Sequence, residues 1–318
     1  QEYEKKSANE QQSTAKQYPN IITVVNETFA DIKVLGDFKT NEDYMPYFHS
    51  LKKNCVTGYT YASIVGGQTA NTEFELLTGN TLGFLSAGTT AFQLYIHGQM
   101  PSLVSNLKAE GYSGNKAMHP FNPYNYNRPA VYKDFGFTDF IDKFDFPKNV
   151  KRVREYISDE ANVDRIISEY EKNRKKTDQP FYMYNMTIQN HSPYDKDAAN
   201  FKQPIKIESS KYDAEANRYL NLIKYSDDSL KQLTSYFEKC KEPTIILFLG
   251  DHQPRLTDEF MNKITNGQYQ TWSSEQMMKR YQVPFVIWAN YDIKEQHIEK
   301  TSMNYIQSIL TKTAGVKM

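Results

Sequence analysis

Glu27, Thr69, Asp251 and His252 are the residues from which chemistry could be built in this chain. Thr69 stands in GGQTANTEFELLTG (66–79), directly behind two glycines and ahead of a helix-like run. A capping threonine is the plain reading of such a position. Asp251 and His252 form the dipeptide of FLGDHQPRL. Gly250 ends an apolar run there and Pro254 blocks an immediate helix, so both side chains lie in a loop and can converge. Glu27 follows NIITVVN and, taken alone, reads as a first-turn carboxylate. Together, two carboxylates, an imidazole and a hydroxyl make an oxygen-rich set with one nitrogen ligand. That set suits one hard or borderline divalent cation, Mn²⁺ or Mg²⁺ ahead of Zn²⁺. Such a cation lowers the pKa of a coordinated water from 15.7 to about 7 and should act similarly on an alcohol. Thr69 then becomes a metal-activated nucleophile facing a phosphate. If the run behind it is helical, its free N–H groups add positive potential where the anion binds.

The elements that must bring these residues together read as strands and helices in alternation. NIITVVN (20–26), PFYMYNM (180–186), TIILFLG (244–250) and VPFVIWAN (283–290) are almost continuously apolar, as strands buried on both faces are. Helical patterns run over 100–111, 163–176 and 219–240, the first of them stopped by Gly111. This alternation predicts an α/β fold with a mainly parallel sheet sandwiched by helices. In such sheets functional groups collect beyond the carboxyl ends of the strands. Three of the four strands meet that expectation: the first runs into Glu27, the second through TIQN to His191, the third into Asp251 and His252. His191 by itself could be a turn residue before Pro193. His119 and Arg128 fall in MHPFNPYNYNRP, an Asn/Pro/Tyr stretch that reads as a long loop, and long ordered loops are more often functional than idle.

Composition narrows the classes. Charge is balanced, 38 Lys+Arg against 38 Asp+Glu, so no field argues for nucleic acid. No run approaches the ~20 apolar residues of a membrane helix. The first segment, QEYEKKSANEQQSTAKQ, is polar and aperiodic, and the chain opens on Gln1. Residues 1–19 therefore read as a linker behind a missing N-terminal membrane region. Cys55 and Cys240 belong to no metal-type cluster and leave open whether they form a disulfide or stay free thiols.

The spacing of NETF, GGQTANTEFELLTG, NYNRPAVYKDFGF, NHSPY and GDHQ resembles the extracellular catalytic domain of the lipoteichoic acid synthases and related phosphoglycerol transferases, members of the alkaline phosphatase/sulfatase superfamily. The resemblance runs from about Asn20 to Gln253 and continues loosely to the end. It implies that Thr69 is the nucleophile and, with Glu27, Asp251 and His252, a ligand of Mn²⁺. It also implies that His119, Arg128 and His191 hold the glycerol phosphate, with Arg128 clamping phosphate oxygens and His191 exchanging protons, although the roles of His119 and His191 are interchangeable on the sequence. Tyr126 stands where those synthases carry a tryptophan, keeping an aromatic wall. By the same resemblance the donor is the phosphatidylglycerol head group. The acceptor is a polyglycerolphosphate, a glycolipid or a polysaccharide, and the whole protein is anchored in the bacterial membrane with its catalytic domain outside. The implied domains are a catalytic unit over 20–255 and a smaller, trimmed C-terminal α+β subdomain over 256–318. Two rivals remain beside it: a phosphodiesterase or phosphatase using water as acceptor, and a non-catalytic module that binds glycerophosphate polymers. A sulfatase activity is disfavoured, because neither KKNCVTG nor EKCKEPT resembles a CxPxR signature.

Overall fold

The computed structural model describes residues 18–208, 214–267 and 269–317. Most of the expected linker, residues 1–17, lies outside them. The strands are β1 (Asn20–Asn26), β2 (Cys55–Tyr61), β3 (Ser113–Met118), β4 (Asp139–Ile141), β5 (Arg152–Val153), β6 (Tyr156–Ile157), β7 (Phe181–Met186), β8 (Thr244–Gly250), β9 (Gln282–Ala289) and β10 (Gln296–Ser302). The longer helices are α1 (Thr69–Thr78), α2 (Leu103–Ala109), α3 (Arg128–Asp134), α4 (Asp159–Arg174), α5 (Ala214–Phe237), α6 (Asp258–Ile264) and α7 (Ile306–Ala314).

Eight strands form one sheet in the order β10-β2-β9-β8-β1-β7-β3-β4, and β5 pairs with β6 alone. β1 lies between β8 and β7, parallel to both. Among the described strands of that sheet, only β9 runs against its neighbours, β2 and β8. Successive residues of β1 face opposite sides: Ile22 and Val24 join one core layer, Ile21 and Val25 the other. The first layer is closed by residues of α4, α5 and α6, the second by residues of α1, α2, α3 and α7. A strand sandwiched in this way must be apolar on both faces, which is why β1, β7 and β8 stand out in the sequence.

The structure departs from the sequence reading in four places. Residues 256–318, expected as a smaller subdomain, place β9 and β10 in the same sheet, because the apolar β9 completes its backbone pairing against β8. β2, β3 and β10 carry Gly, Thr, Lys or Glu where a continuous apolar run would have marked them, and β4 is only the three residues Asp139–Ile141; β10, at the sheet edge, is largely exposed. Arg128 opens a helix instead of lying in a loop. Pro129 sits in its first turn, where a missing N–H costs nothing. α4 begins at Asp159, four residues before its apolar pattern, since the Ser158 side chain caps it by accepting from Ala161 N. Cys55 and Cys240 are both free. No helix among the described residues is long and apolar enough to cross a membrane.

Candidate active site

The central three strands deliver their following residues to one place. In the sheet register Asn26 is opposite Gly250 and Val25 is opposite Met186, so Glu27, Asp251 and the segment after β7 leave the sheet side by side. Gly250 permits this closeness: a Cβ there would sit 1.8 Å from the Phe29 carbonyl oxygen. Asp251 is tied down by backbone donors, with Oδ1 accepting from Thr28 N at 2.6 Å and from His252 N at 2.9 Å.

Thr69 arrives from the other side of the cleft. Gly66, Gly67 and Gln68 all have positive φ, a turn that two glycines ease and that starts α1 at Thr69 itself. Gly66 N bonds to the Gln253 carbonyl at 3.0 Å, pinning the turn to the segment that follows β8 and carries Asp251. Thr69 Oγ1 then donates to Asp251 Oδ2 at 2.8 Å, and Thr72 Oγ1 to the Asp251 carbonyl at 2.8 Å. The residues behind Thr69 thus brace the helix against the strand end.

Glu27, Asp251 and His252 each offer a ligand atom, all within 4.8 Å of one another, and all three are buried. His252 Nδ1 lies 2.9 Å from the Gln253 carbonyl, the arrangement of an N–H donor. That leaves Nε2 with its lone pair, 3.2 Å from Asp251 Oδ2 and 3.7 Å from Glu27 Oε1, buried and without a hydrogen-bond partner. Burial, then the nearby Asp251 carboxylate, pushes the Glu27 carboxyl up to about 8. An orphaned imidazole lone pair facing crowded buried carboxylates fits a divalent cation in the donor set, with Thr69 Oγ1 at its edge.

A cavity of about 100 Å³ opens over these groups. Its wall includes Glu27, Thr69, His252, His119, Tyr126, Arg128 and His191. With Asp251 hydrogen-bonded to Thr69, every residue singled out from the sequence is at this one place. His119 is buried, with Nδ1 3.0 Å from the Met186 carbonyl, and burial and the Arg128 charge hold it well below the usual imidazole range. It is therefore a neutral ring with Nε2 as acceptor. Arg128 is buried under Tyr126, whose ring centroid is 5.2 Å from the guanidinium carbon. His191 is exposed at the rim, beside Phe121 and Tyr156.

Sequence reasoning missed several of the cavity's residues: Gln68, Phe121, Tyr194 and Arg255 also line it. Gln68 and Arg255 lie within the GGQT and GDHQPR blocks, so motif proximity could have marked them. Arg154 carries no such signal. It donates to the carbonyls of Gln189 at 2.9 Å, His191 at 2.7 Å and Pro193 at 2.7 Å, holding the loop that presents His191.

A mostly parallel sheet between helix layers, with acidic and imidazole groups beyond the carboxyl ends of its central strands, defines an α/β protein with its candidate site at the strand ends. The chain belongs to the sulfatase family, whose profile matches residues 19–316. It is 32% identical over 311 residues to the putative cyclic beta-1,2-glucan modification protein of Rhizobium meliloti, covering 95% of this chain and 47% of that protein. To the lipoteichoic acid synthase-like YvgJ of Bacillus subtilis it is 27% identical, covering 73% of this chain and 36% of the relative. The chain thus spans less than half the length of either. In fold it is similar to the Streptococcus pyogenes phosphoglycerol transferase GacH, solved in complex with sn-glycerol-1-phosphate. That match has a TM-score of 0.78 at 20% identity and covers 100% of this chain and 80% of GacH.

Proposed function

We propose that this chain is the catalytic part of a phosphoglycerol transferase. In this reading it moves glycerol phosphate from phosphatidylglycerol to a saccharide hydroxyl of an envelope polymer or glycolipid, through a covalent intermediate on Thr69. The observation that carries the reading is the 2.8 Å hydrogen bond from Thr69 Oγ1 to the buried Asp251 carboxylate, beneath a cavity whose wall includes Arg128, Arg255, His119, His191 and His252. The kind of reaction is supported by the likeness to lipoteichoic acid synthases and GacH. A saccharide acceptor is supported by the relative named for glucan modification.

Each residue has a task its geometry allows. Glu27, Thr69, Asp251 and His252 would hold the cation, for which Mn²⁺ is proposed; when bound it supplies positive charge that lowers the pKa of the Thr69 alcohol and screens the phosphoryl oxygens. The Thr69 hydroxyl points its proton at Asp251, which takes it as the oxygen attacks phosphorus and returns it when Thr69 is released in the second step. The Thr69 oxygen–phosphorus bond forms as the bond from phosphorus to the diacylglycerol oxygen breaks. Arg128 binds phosphate oxygens, and Tyr126 walls the cavity above it. His119, held neutral, accepts a hydrogen bond at Nε2 from a glycerol hydroxyl. His191, on the exposed rim, protonates the departing diacylglycerol oxygen and then takes the proton of the acceptor hydroxyl that attacks the glycerophospho-threonine. Burial and fixed hydrogen bonding of His119 against exposure of His191 favour this division of roles. The whole protein is proposed to be membrane-anchored, with this part on the outer face.

A second reading, hydrolysis with water as acceptor, shares the first step, and the open, exposed setting of His191 would admit water. Incubation with fluorescent phosphatidylglycerol, with and without Mn²⁺, tests both. Wild type should release diacylglycerol and Thr69→Ala should not, and mass spectrometry should find a glycerophosphate adduct on Thr69. Equal release by both proteins sinks the nucleophile assignment; free glycerol phosphate in the presence of glucan acceptor favours the hydrolytic reading.

A further inference from the structure

Glu73 is a fully buried carboxylate one helical turn beyond Thr69 on α1. Its Oε1 accepts from Arg128 Nε at 3.1 Å and from Nη2 at 2.7 Å. Its Oε2 accepts from the Tyr184 hydroxyl at 3.1 Å and from the Tyr132 hydroxyl. Four donors on three residues converge on one carboxylate. A carboxylate removed from water is costly unless it is paired and hydrogen-bonded, so ion pair and tyrosines hold one another in a single geometry. Both phenols are pushed well above their ordinary range, by burial first and by the Glu73 charge second, which keeps them protonated as donors.

On the Arg128 side, the pairing uses Nε and one terminal nitrogen. The other, Nη1, has only the Asn125 carbonyl at a long 3.4 Å, while Arg128, like Thr69, lines the cavity. Thr69 and Glu73 are i and i+4 of one helix, hence neighbours on one face. That helix is itself fixed: Thr72 bonds the Asp251 carbonyl at 2.8 Å, and Asn71 accepts from Ala91 N at 2.9 Å and donates to the Thr89 carbonyl at 2.7 Å.

We propose that Glu73 is a positioning residue for the substrate's phosphate. It orients the Arg128 guanidinium from the same helix that carries Thr69, so that one helical turn sets the spacing between the attacking oxygen and the phosphate clamp. The inference rests on the reading that Arg128 binds phosphate. It assigns to a residue remote from the ligand a share in choosing an anion of phosphodiester size.

The test uses the full 318-residue chain in a Thr69→Ala background, where binding is read without turnover, with glycerol phosphate as the calorimetric probe. Glu73→Gln should weaken binding about tenfold or more, the loss expected when a charged hydrogen-bonding group is misplaced. Arg128→Gln should weaken it at least as much, and adding Glu73→Gln to Arg128→Gln should cost nothing further. With Thr69 restored, kcat/KM for the donor should fall in Glu73→Gln while the melting point of the double variant stays near that of Arg128→Gln. Unchanged binding in Glu73→Gln beside a large loss in Arg128→Gln overturns the positioning role alone. Unchanged binding in Arg128→Gln overturns the reading of the site as well. Should Glu73→Gln fail to fold, Tyr184→Phe removes one support of the carboxylate and leaves the ion pair; a few-fold loss of affinity is then expected, and no loss overturns the proposal.

Discussion

Adding and removing a divalent cation is the perturbation that probes the site most directly. Two buried carboxylates and an orphaned imidazole nitrogen lie within 4.8 Å of one another, so a cation bound there should select the folded state strongly. At a free concentration of one hundred times Kd, binding adds about 2.7 kcal/mol to folding stability. Unfolding entropy near ~2.1 cal/mol/K per residue over 318 residues is roughly 0.7 kcal/mol/K, so the midpoint should rise by about 4 °C. Thermal unfolding followed by circular dichroism, in chelator and then in excess Mn²⁺, measures this without any substrate. Glu27→Gln sharpens the test because two effects should have opposite signs. Removing one of two crowded carboxylates should raise the midpoint of the metal-free protein, by an amount of order 1 kcal/mol or more, while the Mn²⁺-induced rise disappears. Thr69→Ala, which keeps the three charged or imidazole ligands, should retain most of that rise. If Mn²⁺, Mg²⁺ and Zn²⁺ all leave the midpoint where it was, or if Glu27→Gln shifts as far as wild type, the reasoning that assembles these residues around a cation is refuted.

Two further outcomes follow from the packing around the site. His119 has a folded pKa well below 6.5, so below about pH 6.5 the unfolded chain takes up a proton there that the folded chain refuses. Stability should fall as pH drops through that range, and His119→Gln should flatten this part of a melting-point profile between pH 7 and 5. Gly250→Ala places a Cβ 1.8 Å from the Phe29 carbonyl oxygen, forcing β8 and the Glu27–Phe29 turn apart. A cost of about 1–3 kcal/mol is expected in denaturant titrations, together with a smaller Mn²⁺-induced rise; an unchanged rise would show that the Glu27–Asp251 spacing does not depend on this glycine.

Much of the site was legible because its residues follow elements with strong signals. β1, β7 and β8 are buried on both faces, so each reads as an unbroken apolar run, and each runs on into Glu27, His191 or Asp251. The glycine pair ahead of Thr69 is similarly visible, since positive φ at two successive positions favours residues without a Cβ. Less visible were the half-buried strands: β2 alternates between buried and partly exposed residues, and β3 carries Gly114 and Asn115 at positive φ where its ladder with β7 shifts register. Periodicity weakens wherever one face of a strand meets water or the ladder is interrupted.

Residue types and local spacing by themselves determined the α/β class, the ends of the central strands and the candidate groups that gather beyond them. They did so because burial on two faces and left-handed backbone are local demands that a short stretch must satisfy within itself. Tertiary structure alone decided that β9 returns antiparallel to join the sheet, that Arg154 clasps the His191 loop and that Glu73 grips Arg128. Those contacts join residues 35 to 55 positions apart, or whole strands, and nothing in the local pattern distinguishes a buried Glu seeking an arginine from a solvated one. Such pairings arise only when the folded chain excludes water and each charge must find its partner in the space that is left.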